Sequence, residues 1–121
     1  MDRTFLLVGA LAGFIGVAFG AFAAHALRTR LSPEMLVVFE TGVRYQMYHA
    51  FAVLIVAVAA ARFDGWMVHA AGWAFTAGIA LFSGSLYALA LTGITTLGAI
   101  TPLGGLAFLA GWALLVAAAI V

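Results

Sequence analysis

The stretch TFLLVGALAGFIGVAFGAFAAHAL, Thr4 to Leu27, decides the fold. It is an unbroken apolar run, longer than the roughly 20 residues a helix needs to cross a hydrocarbon core about 30 Å thick. It also lacks the period-two alternation of a barrel strand. Three further windows of that kind follow, Gly42 to Ala61, Trp66 to Leu91 and Pro102 to Val121. In lipid every backbone N–H and C=O must be satisfied inside the protein, so these runs read as helices. The composition agrees. Of 121 residues 67% are hydrophobic and 7% charged, and mean hydropathy is +1.23. A soluble domain carries about 25% charged residues, so this chain lacks the polar surface to coat a water-soluble globule. The expectation is an all-α, four-helix transmembrane antiparallel bundle, one integral membrane domain over residues 1–121 with the bilayer as its surroundings.

The stops between the runs are chemically specific. Arg28, Thr29, Arg30, Leu31, Ser32 and Pro33 end the first helix. Ser32 reads as an N-cap, with Pro33 at the first helical position and Glu34 where an acid favours the helix dipole. The second helix is therefore expected to start at Pro33, as an amphipathic extension before the span. A break near Gly42, leaving Pro33–Thr41 as a separate interfacial helix, is the alternative. Glu40 and Arg44 are spaced i,i+4 and predict a pair. Arg62–Gly65 reads as a tight turn that makes the second and third helices antiparallel neighbours. Thr101 reads as the cap of the fourth helix and Pro102 as its first residue. Arg3 precedes the first run as in a secretory signal. That run exceeds the roughly 7–15 apolar residues of a signal core, so it is expected to be retained. Arg3 and Arg62 on the terminal side, against Arg28, Arg30 and Arg44 on the other, lean the first loop toward the cytoplasm.

Several function classes drop out. The five basic residues are all arginines set against four acids, net charge +1, which leaves no basic face for nucleic acid. Without cysteine there is no disulfide, thiolate metal site or iron–sulfur cluster. Glu34, Glu40 and Asp64 lie at or outside the span boundaries, and nothing resembles a serine triad, a phosphate loop or a metalloprotease helix. No enzyme activity, cofactor or metal is expected.

Two patterns remain as candidates. Gly9, Gly13, Gly16 and Gly20 fall within one narrow stripe of the first helix at about 100° per residue. Such a stripe lets another backbone approach, either inside the bundle or as a seam for a homo-oligomer or a membrane-protein partner. On the interaction reading, Gly13→Leu is expected to disturb assembly or folding. Ala80, Gly84 and Ala88, and Ala107 and Gly111, are weaker versions. His69, Thr76, Ser83 and Tyr87 align on one face of the third helix and should turn inward, since polar groups are unfavourable against lipid. Setting the spans side by side also brings His25, Gln46, His49, Ser83 and Tyr87 into one half of the bilayer. That cluster is open to three readings: a structural hydrogen-bond network, a proton-coupled or solute site, or a b-type haem held axially by His25 and His49. Trp66, Trp73 and Trp112 with Tyr45 and Tyr48 read as interfacial anchors, with Trp73 and Trp112 deep enough to be packing residues instead.

Three segments also carry a resemblance: GAFAAHALRTRLSPEMLVVFETGVRYQMYHA (Gly20–Ala50), LFSGSLYALALTG (Leu81–Gly93) and LGAITPLGGLAFLAGW (Leu97–Trp112). Together they resemble the bacterial small membrane proteins called "domain of unknown function 423", which are similar to the eukaryotic transmembrane protein 256 group. The most specific parts are YQMYHA (Tyr45–Ala50) and FSGSLY (Phe82–Tyr87). Ala23 stands where many relatives are expected to have glycine, and Gly42 where alanine is expected. The resemblance implies a four-helix bacterial inner-membrane protein with no assigned activity. The reading carried forward is a structural or interaction protein within the membrane. A small transporter or channel-like protein using the histidine cluster, and a haem-binding redox subunit, stand as alternatives.

Overall fold

A computed structural model describes residues Met1–Val121. It contains helices α1 (Arg3–His25), α2 (Pro33–Ala59), α3 (Trp66–Gly78), α4 (Gly84–Thr92) and α5 (Thr101–Ile120). A π turn, Ile79–Ser83, joins α3 to α4 as one span, and short 3₁₀ turns, Leu27–Thr29 and Thr95–Ala99, end the first span and begin the fourth. The resulting rods, Arg3–His25, Pro33–Ala59, Trp66–Thr92 and Thr95–Ile120, are each long and apolar enough to cross a membrane.

Local chemistry explains most of the ends. Ser32 Oγ accepts from the Met35 amide at 3.2 Å, Pro33 follows, and α2 then runs through Gly42 without a break. Glu34 and Glu40 point outward from its first turns while Phe39 is buried, so this stretch is amphipathic and packed. Gly65, at φ 112°, closes the turn between the second and third spans, a backbone conformation open mainly to glycine. Two expectations are corrected. Arg44 Nη2 donates to Thr41 Oγ1 at 3.2 Å and makes no ion pair with Glu40, because the shorter threonine lies within reach on the same face. Thr101 does not cap α5; its hydroxyl shares a 2.6 Å hydrogen bond with Ser85 Oγ, and Ile100 before it is already helical.

Contacts between helices fix the topology. Asp2, Gly9, Ala12, Gly16 and Gly20 meet Ala57, Leu54, Gln46, Met47 and Val43, so α1 and α2 run antiparallel. Gly78 meets Phe108, Phe75 meets Gly111, Phe82 meets Gly104 and Ser85 meets Thr101, which makes the third and fourth spans antiparallel as well. Asp2 and Phe5 meet His69 and Gly72, so the first and third spans are parallel. α1 packs mainly on α2 and α5 mainly on α3, which leaves α2 and the third span in the middle. The main core gathers Phe5, Ala52, Val53, Val56, Val68, Phe75 and Phe108. A second core, Ala23, Leu27, Phe39 and Ala90, lies toward the first loop, with Phe19 and Tyr87 packed against it. Gly72, Gly78 and Gly111 each provide a notch for one phenyl ring, of Phe5, Phe108 and Phe75 respectively.

The N-terminus is tied more firmly than its sequence suggests. Asp2 Oδ1 accepts from the amides of Thr4 at 2.9 Å and Phe5 at 3.3 Å, its own amide donates to Ala57 O at 2.9 Å, and Oδ2 lies 3.3 Å from His69 Nε2. One residue therefore joins three spans. Asp2→Ala keeps the backbone bond but loses the cap, and is expected to lower stability by about 1 kcal/mol, readable as a lower thermal midpoint in detergent.

Candidate functional site

The polar side chains inside the bundle converge on α2. Gln46 Nε2 donates to Ala12 O of α1 at 2.8 Å, and its Oε1 accepts from the Tyr87 hydroxyl of α4 at 2.6 Å. One turn nearer the first loop, Ser83 Oγ donates to Gly42 O at 2.7 Å. On the opposite flank His49 Nδ1 donates to Tyr45 O at 2.8 Å, and the Trp112 indole N–H of α5 donates to His49 Nε2 at 3.1 Å. A carbonyl only accepts and an indole N–H only donates, so these bonds select the neutral imidazole with its proton on Nδ1. The ring lies flat on Phe108, centroids 3.5 Å apart and planes 8° from parallel. Gln46, His49 and Ser83 are buried, and no buried side-chain nitrogen or oxygen lacks a partner. Chemically the arrangement is a hub: α2 bonds through side chains to α1, α4 and α5.

Of the five residues expected to cluster, Gln46 and Tyr87 bond directly, Ser83 bonds to Gly42 O beside the Tyr87 ring, and His49 lies a turn away facing α5. His25 is not brought in: it is exposed at the end of α1. The reason is angular. The face of α1 that meets α2 carries Gly9, Ala12 and Gly16, and His25 lies roughly opposite it. A bis-histidine haem ligation therefore has no geometric basis, since the histidines lie apart and both ring nitrogens of His49 are engaged. The stripe His69, Thr76, Ser83 and Tyr87 is also divided. His69 turns to Asp2, and Thr76 donates to Gly72 O of its own helix at 2.8 Å. The π turn takes up one residue more than an α turn, so everything after it is rotated by roughly 100° from where uninterrupted counting puts it. Ser83 closes the π turn and Tyr87 follows it, and both face α2.

The glycine stripe divides too. A Cβ on Gly9 would meet Leu54 at 2.7 Å, and one on Gly16 would meet the Met47 sulfur at 2.5 Å. Gly20 is only snug, its nearest neighbour Val43 at 3.4 Å, and Gly13 faces open space. Gly13 instead floors a shallow groove between α1 and α2, beside Phe14, which is 75% exposed. Gly13→Leu is thus expected to leave the folded monomer intact, so that any disturbance it causes falls on assembly. Gly9→Leu is expected to be destabilised by about 1–3 kcal/mol through overpacking. Thermal unfolding of the two variants in one detergent compares them directly.

Residues not anticipated in this network are Trp112, Ser85 with Thr101, and Asp2. Only Asp2 carried a local signal, an aspartate immediately before a helical run. Trp66 is 68% exposed at the start of α3 and Trp73 is 54% exposed farther along it, whereas Trp112 spends its N–H inside the bundle.

A helical four-span membrane protein whose inward polar groups close on one another is the class that this fold and site define. The chain belongs to the family described as "Protein of unknown function (DUF423)", whose model matches residues 19–105, a range that includes Gln46, His49, Ser83 and Tyr87. It is 47% identical over 119 residues to the UPF0382 membrane protein YwdK of Bacillus subtilis, covering 98% of this chain and 97% of that one. A UPF0382 membrane protein of Haemophilus influenzae is 48% identical over 90 residues, 74% of this chain and 72% of its own. The UPF0382 membrane protein SH2409 of Staphylococcus haemolyticus is 46% identical over 97 residues, with 80% and 79% covered. No solved structure matches. The protein is a bacterial multi-pass membrane protein, and its family carries no assigned activity.

Proposed function

We propose that the protein acts within the bilayer as a non-enzymatic interaction partner of other transmembrane helices. The observation that carries this reading is the closed polar network: every buried polar side chain is spent on holding the bundle together. No carboxylate lies within the network, and the one buried histidine has both nitrogens bonded. Catalysis needs a group free to take or give a proton at a reacting atom, and a solute path needs polar groups that can exchange partners. The outer surface, by contrast, offers Gly13 and Phe14 beside an unfilled groove, where another helix can approach closely.

The test is photo-crosslinking in intact cells with a benzophenone-bearing phenylalanine in place of Phe14. A discrete protein adduct is expected, whether to a second copy of the chain or to another membrane protein. Adducts to lipid alone would overturn the proposal. So would a solute or proton flux through the reconstituted protein that His49→Ala abolishes while the thermal midpoint stays unchanged.

A further inference from the structure

The two connections at the first-loop end of the bundle differ in chemistry. The one between α1 and α2 carries Arg28 and Arg30, with Glu34 and Glu40 close behind on α2. The one between α4 and α5, Gly93–Ile100, lies at the same end, since Ala90 packs with Ala23, Leu27 and Phe39. It is uncharged, and from Ala70 to Val121 the chain contains no charged residue and no histidine. It also presents large apolar side chains outward, Ile94 at 53% and Ile100 at 37% exposed, with Leu91 at the end of α4 beside them at 54%. These continue the lipid-facing surface of α5, where Leu103 is 57% exposed.

Most of its backbone amides find acceptors within the protein, those of Thr95 and Thr96 excepted. Gly93, at φ 74°, ends α4 and donates to Leu89 O at 2.8 Å. The Ile94 amide donates to Thr92 Oγ1 at 3.3 Å, and that hydroxyl donates in turn to Ala88 O at 2.6 Å. The 3₁₀ turn follows, with Leu97 N bonded to Ile94 O at 3.2 Å and Ile100 N to Leu97 O at 3.1 Å, and Leu103 N then returns to Ile100 O at 3.0 Å. Gly98 lies against Leu89, so the turn packs back on α4. Irregular backbone facing lipid does not occur in the hydrocarbon core, so this mostly exposed connection belongs above the core, at the ester and glycerol level. Thr95 and Thr96, both exposed, are the polar groups left facing out, and they suit the glycerol level of the bilayer.

We propose that the Gly93–Ile100 connection is immersed in the bilayer beneath the headgroup phosphates, its occupant being lipid, while the Arg28–Ser32 connection at the same end stands in the headgroup layer and water. The arginines set one edge of the end face at the phosphates, and the apolar turn sinks the other edge below them. The bundle is therefore seated obliquely, with its second hairpin deeper than its first at that end.

The chain has no cysteine, so single-cysteine variants of the full protein report without background. Ile94→Cys, Thr96→Cys and Arg30→Cys would be reconstituted in pure phosphatidylglycerol/phosphatidylethanolamine vesicles at about one copy per vesicle, where neither another protein nor a second copy can shield them. Each would be treated with a membrane-impermeant maleimide supplied on both faces. Arg30→Cys is expected to react, and the other two at least about tenfold more slowly, with full reaction once detergent unfolds the protein. Ile94 is exposed in the protein itself, so slow reaction reports lipid and not burial in the fold. Reaction at the rate of Arg30→Cys would overturn the proposal. A nitroxide on Ile94→Cys, with thermal unfolding confirming the fold, provides the second measurement. Collision with dissolved oxygen and shielding from a water-soluble nickel chelate are expected, and the reverse would overturn the immersion.

Discussion

Gly104→Ala is expected to lower the stability of the protein in detergent by about 1–3 kcal/mol, while Gly105→Ala, one residue along, leaves it unchanged or slightly raised. The chemical change is the same, and alanine favours a helix over glycine by about 1 kcal/mol at either place. What differs is what the new methyl meets. At Gly104 it would fall on the backbone of Phe82, 2.7 Å from its Cα and closer still to its nitrogen. Phe82 belongs to the π turn, so a main chain would have to move. At Gly105 nothing lies within 4 Å. Moving α5 outward would loosen the seat of Phe108 against Gly78 and stretch the Ser85–Thr101 bond, so the loss spreads along the contact. Thermal unfolding by fluorescence-detected gel filtration separates the two variants. Equal midpoints would mean that α5 does not rest on the π turn.

Gln46→Leu is expected to have the next largest effect, about 1–3 kcal/mol. Leucine keeps the approximate shape, so the loss reports hydrogen bonds and not a cavity. Two connections fail together: the bond to Ala12 O that holds α1, and the acceptor for the Tyr87 hydroxyl, which is then left without its partner in an apolar interior. Interhelical bonds in membranes average only about 0.6 kcal/mol and reach about 1.7. A double-mutant cycle with Tyr87→Phe should therefore return a coupling in that range. His25→Leu serves as the contrast, since that side chain is exposed and bonded to nothing in the bundle. A Gln46→Leu protein as stable as the wild type would show that the hub does not hold the spans together.

Legibility in the chain followed the range of the interaction concerned. Ser32, Pro33 and Glu34 mark the start of α2 because a cap is complete within four residues. Gln46, His49, Ser83 and Tyr87 were recognisable as inward-facing because an unpaired polar group against lipid is unfavourable wherever its helix goes. Their partners were not legible. Gln46 reaches a backbone carbonyl, Ala12 O, and every residue type carries one. His49 is satisfied by Trp112, 63 positions away, whose spacing from it carries no periodic signal. Gly13 and Gly16 look alike on a helical wheel, yet only Gly16 is pressed by a neighbour, because the line of contact with α2 runs through Gly9, Ala12 and Gly16 and leaves Gly13 to one side.

The amino-acid sequence by itself determined the solvent, the number of spans and where the second begins, since burial in lipid and capping act on composition and on near neighbours along one helix. Only the tertiary structure decided which polar groups meet. A single extra residue in the π turn rotates all that follows it, and helix contacts are set by the fit of side chains on two surfaces at once. Gln46 thereby meets Tyr87 while His49 meets Trp112, an outcome that residue counting along one strand of text does not contain.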